Sequence, residues 1–261
     1  MRTISLGYHD VIAADEMHEP RSSSVYTITA ESFGLHLRMI RLAAGAGRVC
    51  AVTADGEHAA QGLYFTFDDG AACAATRIAP ELERYGWPGH FFVTTDWIGR
   101  PGFLTPAQIR GMHRRGHIVG SHSCSHPERM SHLSWEELTR EWSHSCALLS
   151  DIIGRPVAAA SLAGGYYSPL VARAAAACGI KVLFTSEPTT ARWNVDGCLV
   201  LGRYTVRRST PARTVAAIAA GAMLPRFEQA LAWAAKKAVK RVTGTHYDAL
   251  RKRMGYSIQQ P

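Results

Sequence analysis

No two of the six cysteines, at positions 50, 73, 124, 146, 178 and 198, stand in a Cys-x-x-Cys pair. Their spacing suggests neither a zinc ribbon nor a disulfide scaffold, so the thiols read as reduced and buried. No apolar run is long enough to span a bilayer. The N-terminus, Met1-Arg2-Thr3-Ile4-Ser5-Leu6-Gly7, reaches Tyr8-His9-Asp10 without the apolar core of a signal peptide. The expected location is the cytoplasm, with peripheral contact at the inner membrane as a variant of it. There is no internal repeat, and no low-complexity tract beyond a few Ala-rich stretches. The positive charge comes with no recognised nucleic-acid-binding module, which leaves nucleic acid out of the expected partners.

What the 261 residues do contain is an alternation of strand and helix signals, with 47% hydrophobic residues. That length and composition suit one α/β unit with a large core. Residues 12–25 read as a polar loop ending in Ser22-Ser23-Ser24. Thr29 caps a helix with Phe33, Leu37 and Ile40 on one face. A helix is expected from Ala71 to about Tyr85, and a strand over His90–Thr95. Thr105-Pro106-Ala107-Gln108 and Ser134-x-x-Glu137 are capping-box patterns, each opening a helix. An Ala-rich helix follows over Val171–Cys178, then strands over Lys181–Thr185 and Leu199–Val206. A last helix runs from Phe227 to about Val242.

Leu63-Tyr64-Phe65-Thr66-Phe67 reads as a buried strand, and Asp68-Asp69-Gly70 closes it. Two adjacent carboxylates at such a strand end are costly to desolvate. They make sense if one holds a metal and the other titrates beside it. A surface Asp-Asp-Gly turn is the alternative. Roughly fifty residues later, Ile118-Val119 leads into Gly120-Ser121-His122-Ser123-Cys124-Ser125-His126-Pro127. On a helical turn, histidines four apart project from one side, so both imidazoles reach one ion. Cys124 between them points elsewhere. One Asp and two His leave open positions for water and substrate.

At these residues the chain resembles the polysaccharide deacetylases, the NodB-homology group of carbohydrate esterases. Thr66-Phe67-Asp68-Asp69-Gly70 looks like that family's first motif and His122-Ser123-Cys124-Ser125-His126 like its second. The resemblance runs from about Tyr8 to about Val206. It implies that Asp68 is the general base and that Asp69, His122 and His126 bind a divalent metal, for which zinc suits the N/O ligand set. It also implies a distorted (β/α) barrel with its site at the C-terminal ends of the strands.

Two motifs depart from the family. The third aligns with Ser161-Leu162-Ala163-Gly164-Gly165-Tyr166-Tyr167-Ser168. Ser161 stands where the family has the Arg that orients the base, and Ala163 where it has Pro. Gly164 or Gly165 remains suited to giving a backbone N–H to an oxyanion. The terminal Leu-x-His, whose His protonates the leaving amine, is absent. Arg203 instead lies on the strand Leu199–Val206, and this resembles the branch of the family that acts in exopolysaccharide synthesis. His9, after the first apparent strand, is a candidate acid, as is Asp68 once protonated. His246 reads as a surface residue of a polar tail.

The sequence therefore predicts a catalytic barrel over residues 1–210 and a basic helical extension over 211–261. The expected activity is metal-dependent removal of acetyl from an N-acetylated sugar or glycan, free or lipid-linked. Hydrolysis of another C–N bond, formyl or cyclic amide, is the near alternative, and a catalytically impaired glycan-binding protein the distant one. Trp97, Phe103, Tyr166, Tyr167 and Trp193 are candidates to stack on a sugar or to fill the core. The net charge of +8, with Lys236, Lys237, Lys240, Arg241 and Arg251-Lys252-Arg253 near the C-terminus, suits a helix dipole or an anionic membrane surface. The oligomeric state is left open.

Overall fold

The strand Gly62–Phe67 is buried at every residue, as a central strand covered on both faces must be. It belongs to the computed structural model of the chain, which describes residues 3–18, 25–45, 49–52 and 62–243. In chain order the strands are β1 (Thr3–Tyr8), β2 (Val11–Ile12), β3 (Ile28–Thr29), β4 (Gly62–Phe67), β5 (Gly89–Val93), β6 (Ile118–Ser121), β7 (Ala159–Ser161), β8 (Val182–Phe184), β9 (Arg192–Val195), β10 (Cys198–Leu201) and β11 (Tyr204–Thr205). The α-helices are α1 (Ala30–Ala44), α2 (Ala79–Glu83), α3 (Pro106–Arg114), α4 (Trp135–Ile153), α5 (Pro169–Ala177), α6 (Ala212–Ala219) and α7 (Met223–Thr243). A π-helical turn, Ala74–Ile78, runs directly into α2.

Nine strands form one curled sheet in the order β11-β1-β4-β5-β6-β7-β8-β10-β9. Every pairing in it is parallel except β9 with β10. Helices between successive strands cover its outside, so the fold is the distorted (β/α) barrel that the sequence predicts. The period-two alternation of β4 sorts its residues. Phe65 and Phe67 join the layer under the helices, with Ile4, Phe33, Leu37 and Phe91. Tyr64 faces inward and packs with Phe92, Phe184 and Leu201. Thr66 and Asp68 continue that inner face toward the C-terminal end of the strand.

Local capping sets the helix starts. Thr29 accepts from the Ser32 backbone, and both expected capping boxes are present, at Thr105 with Gln108 and at Ser134 with Glu137. The expected single strand over 199–206 is instead two strands split at Gly202-Arg203. A Cβ at Gly202 would sit 2.4 Å from the Glu187 carbonyl oxygen, so the chain passes too close to the loop after β8 to continue as a regular strand. β9 and its Asp196-Gly197 turn to β10 were not expected. Asp196 (φ 50°) and Gly197 (φ 86°) take the left-handed conformations that a tight two-residue hairpin needs. The helix expected from Phe227 begins earlier, at Met223. The expectations for Ser22-Ser23-Ser24, His246 and Arg251-Lys252-Arg253 lie outside the described residues.

Candidate metal and hydrolytic site

β4 ends by delivering two carboxylates in different directions. Asp68 is still held as strand, its N–H donating to the Tyr8 carbonyl at 3.1 Å. Its Oδ1 accepts from Arg203 Nη1 at 2.7 Å, and both side chains are buried. The same guanidinium donates through Nη1 to Thr66 Oγ1 (3.2 Å) and through Nε to the Thr185 carbonyl (2.9 Å). Arg203, arriving at the gap between β10 and β11, therefore orients Asp68 in place of the Arg missing at Ser161. Asp69 turns the other way because its backbone is left-handed, at φ 75°. This is an uncommon and strained conformation for a residue other than glycine. Gly70 follows at φ 87°, against Val93.

The segment after β6 is not a helical turn. Ser123 (φ 67°) and His126 (φ 58°) are both left-handed, and an irregular loop brings the two histidines together. His122 Nε2 lies 3.4 Å and His126 Nε2 3.6 Å from Asp69 Oδ1. Hydrogen bonds hold the loop. Ser123 N donates to Ser121 Oγ and His126 N to Ser123 Oγ, each at 3.1 Å. Glu141 on α4 accepts from Cys124 N (2.8 Å), Ser125 N (2.9 Å) and Ser125 Oγ (2.7 Å). No spacing in the sequence pointed to Glu141, since its role depends on how α4 packs. Cys124 Sγ accepts from Thr95 Oγ1 at 3.3 Å. His122 Nδ1 donates to the Ser161 carbonyl at 3.0 Å, which leaves Nε2 to act as a ligand.

Charge is concentrated here. Burial works to raise both carboxylates, but opposite charge more than offsets it. Arg203, then His122 and His9, hold Asp68 well below the usual carboxylate range. His122, His9 and His126 hold Asp69 below it as well. Burial works to lower His122, yet Asp68 and Asp69 raise it above its ordinary value. His126 is lowered to about 4, chiefly by burial. At neutral pH Asp68 is thus an ionised carboxylate braced by a guanidinium.

The remaining expected residues surround this centre. His9 follows β1, stacks on Tyr26 with ring centroids 4.7 Å apart, and acts electrostatically on both Asp68 and Asp69. Its Nδ1 is buried without a hydrogen-bond partner among the described residues. Gly164 (φ 69°) and Gly165 (φ 73°) form the turn after β7. A Cβ on Gly164 would lie 2.3 Å from the Glu128 carbonyl oxygen, so this turn is pressed against the segment that follows His126. Of the aromatic candidates, Trp97 and Phe103 are core, and Trp97 stacks on the His126 ring at 5.1 Å. Tyr166, Tyr167 and Trp193 are half-buried. Trp193 Nε1 donates to Tyr167 Oη at 2.9 Å, and Arg129 lies 4.8 Å from the Tyr166 ring centroid.

Asp69, His122 and His126 fit a divalent metal. Their three ligand atoms lie within 4.8 Å of one another, and all three residues are buried. Among the described residues, Asp69 Oδ1 is buried with no partner at hydrogen-bond geometry, and the two imidazoles are its nearest polar neighbours. Two ligands at 2.0–2.1 Å from a tetrahedral ion stand about 3.3 Å apart, close to the spacings here.

The sequence model of the polysaccharide deacetylase family matches residues 55–183. The Bacillus subtilis (strain 168) protein YxkH is 26% identical over 140 residues, which cover 54% of this chain and 50% of YxkH. The chain thus spans about half the length of that relative. Among solved structures, the polysaccharide deacetylase BC0361 of Bacillus cereus superposes with a TM-score of 0.69 at 18% identity, over 84% of this chain and 69% of that one. IcaB from Ammonifex degensii superposes with a TM-score of 0.65 at 22% identity, over 84% of this chain and 97% of that one. At these identities the structural likeness speaks for the fold.

Proposed function

From the premise that the chain belongs to the polysaccharide deacetylase family, we propose that it hydrolyses the acetamide of an N-acetylated sugar within a glycan or glycan precursor. The observation that carries this reading is the convergence of Asp69, His122 and His126 beside an ionised, Arg203-braced Asp68.

Asp69, His122 and His126 would hold a divalent ion, zinc among the candidates, which would supply Lewis acidity toward the acetyl carbonyl. The chain's own groups do the rest. Asp68 takes a proton from the attacking water, and Arg203 keeps its carboxylate aimed and ionised. A backbone N–H of Gly164 or Gly165 donates to the oxygen on which negative charge develops. As the C–N bond breaks, the amine takes a proton from His9 or from the newly protonated Asp68, leaving acetate and a free amino sugar. His122 stays in one tautomer through its bond to the Ser161 carbonyl.

The test is acetate release from N-acetylglucosamine oligomers and from lipid-linked N-acetylated sugars by the metal-loaded protein. Release of acetate, lost in Asp68→Asn, supports the reading. Release of formate from a formylated analogue without acetate release would move the activity to the other C–N bond class. Binding of oligomers without any turnover would leave a glycan-binding protein.

A further inference from the structure

Four of the nine large hydrophobic side chains left exposed among the described residues belong to α7. Met223 is 72% exposed, Leu224 69%, Phe227 65% and Leu231 60%. Met223, Phe227 and Leu231 follow one another at four-residue steps, with Leu224 beside them, so they form a continuous stripe on one side of the helix. The other side is fastened to the barrel. Gln229 Nε2 donates to the Thr205 carbonyl at 3.3 Å, and Lys237 Nζ pairs with Glu187 Oε1 at 3.4 Å. Arg226 is buried and donates to the Ala222 and Gly221 carbonyls. The Trp233 ring lies 3.8 Å from where a Cβ on Gly165 would stand. Thr205, Glu187 and Gly165 all sit at or just beyond C-terminal strand ends. The helix therefore runs along the rim of the candidate active site with its apolar stripe turned away from the protein. A surface helix ordinarily does the reverse.

The charge of the chain is gathered at the same end. Eleven of the 29 Lys and Arg fall in residues 207–261, against two of the 21 Asp and Glu; the first 206 residues carry 18 and 19. Essentially all of the net +8 thus belongs to the segment that contains α7. A second copy would set this positive segment against itself, a costly juxtaposition. An anionic bilayer satisfies both features, since its head groups match the Lys and Arg and its acyl boundary accepts the stripe.

We propose that α7 is an interfacial helix that seats Met223, Leu224, Phe227 and Leu231 in an anionic membrane and holds the mouth of the site beside the lipid surface. A short apolar stripe or a basic segment alone binds marginally; the two together give reversible, salt-sensitive attachment.

The experiment is flotation of the full-length, metal-loaded protein with phosphatidylcholine vesicles containing roughly one-third phosphatidylglycerol, and with phosphatidylcholine alone, at low and high salt. The expected result is binding to the anionic vesicles, weakened about tenfold or more by salt, and none to the neutral ones. The double variant Phe227→Ser, Leu231→Ser loses about tenfold or more in partition at an unchanged melting temperature. A second variant, Phe227→Trp, keeps the stripe apolar and gains emission that brominated acyl chains quench beyond the wild-type level. No flotation of the wild type overturns the proposal. So does equal flotation of the double variant, or a Phe227→Trp signal that lipid leaves untouched. A wild-type dimer that the double variant turns into monomer, without flotation, assigns the stripe to a second copy. None of these measurements reads turnover, so their failure is distinct from failure of the deacetylase assay.

Discussion

Asp68 and Arg203, 135 residues apart in the chain, meet at 2.7 Å with both side chains buried. A guanidinium in this place is an orienting device as well as a counter-charge, because it is itself held by Thr66 and the Thr185 carbonyl. Removing it strands an ionised carboxylate in the barrel. Arg203→Met is expected to cost about 3–5 kcal/mol of stability, read as a lower melting temperature, and to lower kcat with metal content unchanged. Arg203→Lys restores the charge but not the planar fork, so stability recovers more than kcat does. Equal recovery of both would mean that Arg203 acts by charge alone.

Asp68→Asn keeps the shape and removes the proposed base. Turnover should fall by about 10²–10⁴-fold while metal stoichiometry stays at the wild-type value. A variant that turns over normally would place the base elsewhere, with His9 the next group to test.

The metal loop should respond in two grades. His122→Ala removes a proposed ligand, and metal analysis is expected to show less ion bound than in the wild type. Glu141→Ala leaves all three ligands in place but frees the backbone N–H groups of Cys124 and Ser125. Weakening of metal affinity by roughly 10–100-fold is expected, as for other outer-sphere supports. Competition with a chromogenic chelator measures both, and an unchanged affinity in Glu141→Ala would show that the loop holds its shape without that carboxylate.

His90 gives the fold a pH limit away from the metal. It is fully buried, donates from Nδ1 to the Phe65 carbonyl (2.9 Å) and accepts at Nε2 from the Val52 N–H (2.9 Å). Burial lowers its pKa from 6.5 to about 4. Between those values the unfolded chain binds the proton and the folded chain does not, so stability falls as pH falls through that window. Wild type should lose up to about 1.4 kcal/mol more per pH unit there than His90→Gln, which has no titrating ring. Urea midpoints at several pH values decide it; parallel slopes would show that His90 does not set the limit.

Features carried by local sequence were legible. Thr29, Thr105-Pro106 and Ser134-x-x-Glu137 start helices where expected, because capping involves residues three apart. The paired motifs singled out Asp68, Asp69, His122 and His126 as candidates, and the structure brings Asp69, His122 and His126 together. What failed depended on backbone reversals or distant partners. The helical-turn geometry for 122–126 missed the left-handed Ser123 and His126, which no periodicity encodes. The β9–β10 hairpin did carry a signal, Asp196-Gly197 between runs containing Trp193 and Leu199. Arg203 was visible as a residue, but its bond to Asp68, 135 residues away, belongs to the folded barrel.

The Gly202-Arg203 link also has a consequence in time. It carries the chain from β10, near one end of the sheet, to β11 at the other. Every candidate metal ligand lies at or before His126, whereas the partner of Asp68, the proposed base, arrives at residue 203. At the 5–20 residues per second of synthesis, Arg203 is made roughly 4–15 s after the last ligand. A growing chain thus possesses a complete ligand set well before it possesses a braced carboxylate. On the proposed reading, the carboxylate gains its brace only where the chain joins the two ends of the sheet.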